Sequence, residues 1–114
     1  MSRLRRPFLY EHFLFVTVKL LPHRTRLNEE DFARLANSLS RMRQKHGFLL
    51  TAWVLLPDHW HAIIHPTYPL TISTVSKAVK KSSTIGINVR RGESGELWQE
   101  HFFDRALRTG RCAR

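Results

Sequence analysis

Apolar side chains along this chain follow two rhythms, and the switches between them mark out its elements. In residues 11–20 (EHFLFVTVKL), Leu14, Val16, Val18 and Leu20 alternate with Thr17 and Lys19, and β-branched and aromatic types dominate, so a strand with one apolar face is expected. A loop with Arg24 and Arg26 follows, and Asn28 then stands before Glu29, Glu30 and Asp31, an N-cap with acids in the first helical turn. Phe32, Leu35, Ala36, Leu39 and Met42 recur every three or four positions, Arg41, Arg43 and Lys45 gather towards the end, and Gly47 stops the helix. The run 48–56 (FLLTAWVLL), bounded by Gly47 and Pro57, reads as a strand buried on both faces. Pro57 and Asp58 form a tight turn into 59–65 (HWHAIIH), a third strand closed by Pro66, so these two strands should pair as a hairpin. A second helix is expected over 71–91, with Ile72, Val75, Ala78 and Val79 on one side and Lys77, Lys80 and Lys81 on another. After a turn at Gly92 to Gly95, the mixed stretch 97–107 (LWQEHFFDRAL) is read as a fourth strand. The order β-α-β-β-α-β, without repeats, predicts an α+β domain with helices packed on one antiparallel sheet, of ferredoxin-like type.

Composition narrows what such a domain is for. A chain of 114 residues makes one domain, 1–114, able to bury about two thirds of its unfolded surface. Lys and Arg number 19 against 9 Asp and Glu, a net charge of +10, which points to a polyanionic partner. With 42% hydrophobic and 11% aromatic residues it is a folded domain rather than a disordered basic tail. Cys112 is the single cysteine, which excludes an internal disulfide framework and a cysteine-rich zinc module and suits a cytoplasmic location. No apolar run approaches a membrane span, and Phe8-Leu9-Tyr10 after Arg3, Arg5 and Arg6 is too short for a signal sequence, so neither export nor a membrane partner is expected.

Candidate chemistry centres on His59 and His61. One residue apart on a strand, they share a face, while Trp60 takes the other. Two such imidazoles can bind one divalent metal; the alternative is a polar pair on a half-exposed strand. His65 has the same parity but lies about 6.6 Å or more beyond His61, too far to assume a shared ion. His12, Asp58 and His101 remain possible third ligands. From Thr71 to Arg91 there is no acid and there are five basic residues, Lys77, Lys80, Lys81, Arg90 and Arg91, a pattern suited to nucleic-acid phosphates, although a solvated lysine face would look alike. Trp98, Phe102 and Phe103 could stack on unpaired bases or enter the core; core is favoured for Phe102 or Phe103, and Trp98 is open.

Two segments carry a family resemblance. Leu55-Leu56-Pro57-Asp58-His59-Trp60-His61, after Ala52-Trp53-Val54, resembles the His-hydrophobic-His (HUH) segment of the single-tyrosine transposases, particularly those associated with repetitive extragenic palindromes (REP). Leu97-Trp98-Gln99-Glu100 through Asp104-Arg105-Ala106-Leu107-Arg108 resembles their Trp-Gln and Asp/Glu-x-x-Arg stretch, and with the Phe-x-Val-Thr first strand the likeness spans roughly residues 8–108. It implies a protein that recognises hairpins in single-stranded DNA and cuts and joins strands beside them, with His59 and His61 holding Mg²⁺ or Mn²⁺ and a tyrosine attacking phosphorus. It also implies a monomer, as in the palindrome-associated branch. In the family the tyrosine follows on a further helix, in a Tyr-Ile-x-x-Asn-Pro type of segment that also supplies a third metal ligand. Here Thr109-Gly110-Arg111-Cys112-Ala113-Arg114 stands in its place, and Tyr10 and Tyr68 read as packing or surface residues. The expectation is therefore a domain that holds hairpin DNA without cutting it alone. Two other readings stay open: a metal-dependent nuclease with another nucleophile, such as an activated water or Tyr68, and a basic RNA-binding module with structural histidines.

Overall fold

Period-two alternation decides which strands lie at the centre. Val16 and Val18 of β1 (Leu14–Lys19) and Trp60, Ala62 and Ile64 of β3 (His59–His65) are all buried on one side of their strands, so both can be covered by helices on that side. In the computed structural model, which describes residues 13–107, they are the inner pair of one antiparallel sheet of order β2-β3-β1-β4, with β2 (Leu49–Leu56) and β4 (Phe103–Ala106) at the edges. Helices α1 (Glu29–His46) and α2 (Ile72–Arg91) supply Leu35, Leu39 and Met42, and Val75, Val79 and Ile87, to the same core. The β-α-β-β-α-β order and the antiparallel α+β sheet are those expected from the sequence.

Two expectations are corrected. Although its run is nearly all apolar, β2 is not buried on both faces: it is an edge strand, with Leu49, Trp53 and Val54 each about half exposed. Hydrophobic content alone cannot distinguish an edge from a centre, since that depends on which strand pairs beyond it. Likewise, 97–107 is not one strand. Leu97 to Gln99 run beside Lys19 to Leu21 through a Leu20–Trp98 bridge and the bonds Leu21 N–H to Leu97 O (3.0 Å) and Gln99 N–H to Lys19 O (2.8 Å), and β4 proper begins at Phe103.

Polar contacts tie the two helices together at one carboxylate. Asn28 and Asp31 form a reciprocal capping box at the start of α1, each side chain accepting from the other's backbone N–H at 3.0 Å. Asp31 also accepts from Arg90 (2.9 Å) and Arg91 (2.8 Å) at the end of α2, and Arg91 reaches the carbonyls of Thr25 and Arg26. Both helices end at glycines with left-handed backbone, Gly47 (φ 81°) and Gly92 (φ 69°), where a side chain would strain the turn. The Asp31 side chain is fully buried. Burial pushes its carboxyl up, but hydrogen bonds from Arg91, the Asn28 backbone and Arg90 outweigh it and hold the pKa below the ordinary 3.8.

A group whose folded pKa is depressed stabilises the fold above its unfolded pKa and loses that contribution as pH falls through the folded value. Asp31→Asn should therefore lower stability at neutral pH by about 3 kcal/mol, because two guanidinium groups lose their counter-charge. In urea melts against pH, the gap between the variant and the parent should begin to narrow once the pH falls below about 4 and go on narrowing as it falls further; a gap of the same size at pH 3 would show that charge pairing is not the cause.

Candidate metal and nucleic-acid site

The outer face of the sheet is built by the alternation that fills the core. Trp60, Ala62 and Ile64 point to the helices, so His59, His61 and Ile63 must point away. Cross-strand register arranges this face in rows. Val54, His61, Thr17 and Phe103 form one row; Leu56, His59 and Lys19 form a second; Ala52, Ile63, Phe15 and Arg105 form a third.

Both imidazoles are held at one nitrogen. His59 Nδ1 lies 2.7 Å from the Asp58 carboxylate and His61 Nδ1 lies 2.8 Å from Thr17 Oγ1, while the rings stand edge to face with centroids 4.7 Å apart. An Nδ1–H that donates to a carboxylate or hydroxyl leaves Nε2 as the ligating atom, the arrangement seen around metal-bound histidines. His61 also stacks on Phe15 at 5.0 Å. Burial, and then the neighbouring His59, lower the His61 pKa below its ordinary 6.5, so the neutral, metal-competent form prevails at neutral pH. The hydrogen bond from His59 holds the Asp58 carboxyl below its usual range. Among the described residues no group of three or more His, Cys, Asp or Glu converges, so those residues offer two imidazoles as candidate donors. Such a set fits a loosely held divalent ion with remaining positions open to water or phosphate, and nitrogen ligands favour Mn²⁺ over Mg²⁺.

Of the candidate third ligands, Asp58 buttresses His59, His101 is exposed on a groove beside α2, and His12 lies outside the described residues. His65 is buried further along β3, edge-on to Phe13 and accepting from the Thr67 N–H. Tyr68 is 90% exposed in the loop after β3, beyond the end of that strand farthest from His59; a six-residue rise to His65 alone is about 20 Å. Tyr10 lies outside the described residues.

The basic candidates divide. Lys77 and Lys81 are exposed on α2, lining a groove whose opposite wall carries Glu96, Glu100 and Asp104. Lys81 also borders a second groove, between the helices, lined by Arg34, Arg41 and Lys45 and, among the described residues, by no carboxylate. Lys80 instead donates to the Glu100 carbonyl at 2.8 Å, and burial lowers its pKa. Arg90 and Arg91, expected on the DNA face, are engaged by Glu30 and Asp31 and by Asp31 and Glu93 respectively, and their first duty is to hold the helices together. Trp98, a DNA-contact candidate left open between core and base stacking, is 2% exposed and donates to Ser83 Oγ at 2.9 Å, which places its ring in the core. Phe102 packs on the core as expected for one of the pair, whereas Phe103 stands on the outer face.

Sequence reasoning missed the residues that surround the imidazoles. Lys19 lies 5.1 Å over the Phe103 ring, and Arg105 lies 5.4 Å over Phe15. The alternation of β1 already put Thr17 and Lys19 on one face; what was missing was the pairing that set that face beside β3.

Comparison with known proteins converges on one group. A family model described as "Transposase IS200 like" matches residues 8–112. The REP-associated tyrosine transposase of Escherichia coli K12 is 28% identical over 109 residues, which cover 95% of this chain and 63% of that protein. The chain thus spans less than two thirds of the length of that relative. Its fold also matches a REP-associated tyrosine transposase bound to a REP hairpin, with a TM-score of 0.73 and 25% identity over 90% of this chain and 60% of the other. A candidate transposase from Deinococcus radiodurans R1 shares the fold, with a TM-score of 0.72 and 19% identity over 89% of this chain and 82% of the other.

Titrated calorimetrically, Mn²⁺ should bind the parent more tightly than Mg²⁺ and should be lost in His61→Ala. Asp58→Asn should weaken Mn²⁺ binding about tenfold, the usual scale for a lost buttress behind a ligating histidine. Equal Mn²⁺ binding by parent and His61→Ala would leave the histidines as structural residues.

Proposed function

Because this chain belongs to the IS200-like transposase family, we propose that it holds hairpin DNA and presents an adjoining single strand to the His59–His61 face. The observation that carries this reading is the composition of that face: two imidazoles buttressed at Nδ1, bordered by the cations Lys19 and Arg105. In a protein of net charge +10, such a face suits a phosphodiester. A divalent ion, Mn²⁺ or Mg²⁺, bound there would polarise the phosphate and offset charge on its non-bridging oxygens. The chain's own residues orient the two imidazoles through Asp58 and Thr17 and draw the strand in through charge.

The duplex stem belongs to the helical side in this reading. Lys77 and Lys81 on α2, with Arg34, Arg41 and Lys45 on α1, form an exposed basic surface that can follow phosphates without reading bases. Strand transfer through a tyrosine, the family's chemistry, needs a nucleophile at the imidazoles, and among the described residues Tyr68 is the one tyrosine and stands at the far end of β3. Holding and presenting DNA is the role proposed here for the described residues. Among the described residues no helix is long and apolar enough to cross a membrane.

Titration of a labelled hairpin oligonucleotide at several salt concentrations should give, for the Lys77→Ala/Lys81→Ala variant, a salt dependence flatter by about two units of slope. Arg91→Ala should instead lower the melting temperature and leave that slope unchanged. An unaltered slope in the double-lysine variant would move the stem to another face.

A further inference from the structure

We propose that Phe103 is a stacking platform for one unpaired nucleotide of the bound DNA, with Lys19 and Arg105 taking the phosphates beside it. The proposal rests on the hairpin-DNA reading above and locates the strand next to the imidazoles. Phe103 leaves 58% of its surface in water, whereas the adjacent Phe102 packs against the core. Its cross-strand partner is Thr17, whose hydroxyl contacts His61, so ring and imidazole share a row two strand spacings apart, about 10 Å. A nucleotide with its phosphate at the imidazoles can set its base on that ring.

The two cations make the choice of ligand. Lys19 lies over the Phe103 ring and Arg105 over Phe15, and among the described residues neither has a carboxylate within ion-pair distance. Arg24, Arg90 and Arg91, by contrast, are each paired with acids. An apolar segment laid on this face would strip water from two charges without compensation, whereas a single DNA strand offers a flat base to the ring and phosphates to the cations. The Lys19 ammonium covers the ring until a nucleotide arrives, then exchanges a weak exposed cation–π contact for a charge-assisted bond to phosphate.

The test compares a blunt hairpin with the same stem carrying an unpaired flank, by fluorescence anisotropy, alongside thermal melts of each variant. Phe103→Ala should lose about tenfold in affinity for the flanked hairpin and nothing for the blunt one, and Phe103→Tyr should bind both like the parent. An abasic site moved along the flank should cost the parent about tenfold at one position and cost Phe103→Ala nothing there. The abasic scan on the parent needs no substitution, so it stands even if Phe103→Ala melts early. A flat scan, or equal losses by Phe103→Ala on blunt and flanked hairpins, overturns the platform while leaving hairpin binding intact. A parent that binds no hairpin overturns the underlying DNA reading and the platform with it.

Discussion

Everything at the site depends on the burial of Trp60. An indole this large, wholly removed from water between the helices and the sheet, locks the register and facing of β3. A slip of one residue would expose Trp60, Ala62 and Ile64 and bury two imidazoles, at a cost of several kcal/mol in apolar area alone. The pair His59 and His61 is thus displayed by the core: hydrophobic burial on one side of the strand supplies the free energy that holds polar side chains on the other. The edge-to-face packing of Trp60 on Trp98 carries the same constraint to the 97–99 segment, and the pairing of that segment with Lys19 to Leu21 leads the chain into β4. Phe103 and Arg105 reach the outer face by that route.

A second constraint redistributes the charge. Asp31, buried in the capping box of α1, draws Arg90 and Arg91 into its coordination, while Arg24 binds Glu93, Asn88 and the carbonyl of Glu96 (2.6 Å) and so shapes the loop before β4. These arginines carry formal charge but have their donors directed inward. Among the described residues, the charge available to a polyanion lies elsewhere, on Lys77 and Lys81 and the α1 cations on the helical side, and on Lys19 and Arg105 on the sheet side. Lys77 and Lys81 share a groove with Asp104 of β4, so a stem held at that groove and a strand on the imidazole face would meet across the β4 edge.

Much of this was written in the order of residues. Alternation in 14–20 and 59–65, helical spacing after Asn28 and after Thr71, and the glycines at 47 and 92 specify four of the six elements locally, because each signal acts within a turn or a pleat. The shared face of His59 and His61 was legible for the same reason, and so was the likeness to the transposase motifs. Only partner strands could show that β2 is an edge despite its apolar run, that the 97–107 stretch breaks before β4, and that Phe102 and Phe103 part company.

The sequence by itself determined the set of elements, their order and the face on which the imidazoles stand, since these follow from periodicity and covalent geometry. The tertiary structure alone decided which charges are free and which rings are exposed. Whether Arg91 meets Asp31 or solvent, whether Trp98 meets Ser83 or a base, and whether Lys19 lies beside His59 all depend on contacts between residues on different elements, 15 or more positions apart. Such contacts form when the core closes, and no local rule of spacing encodes them.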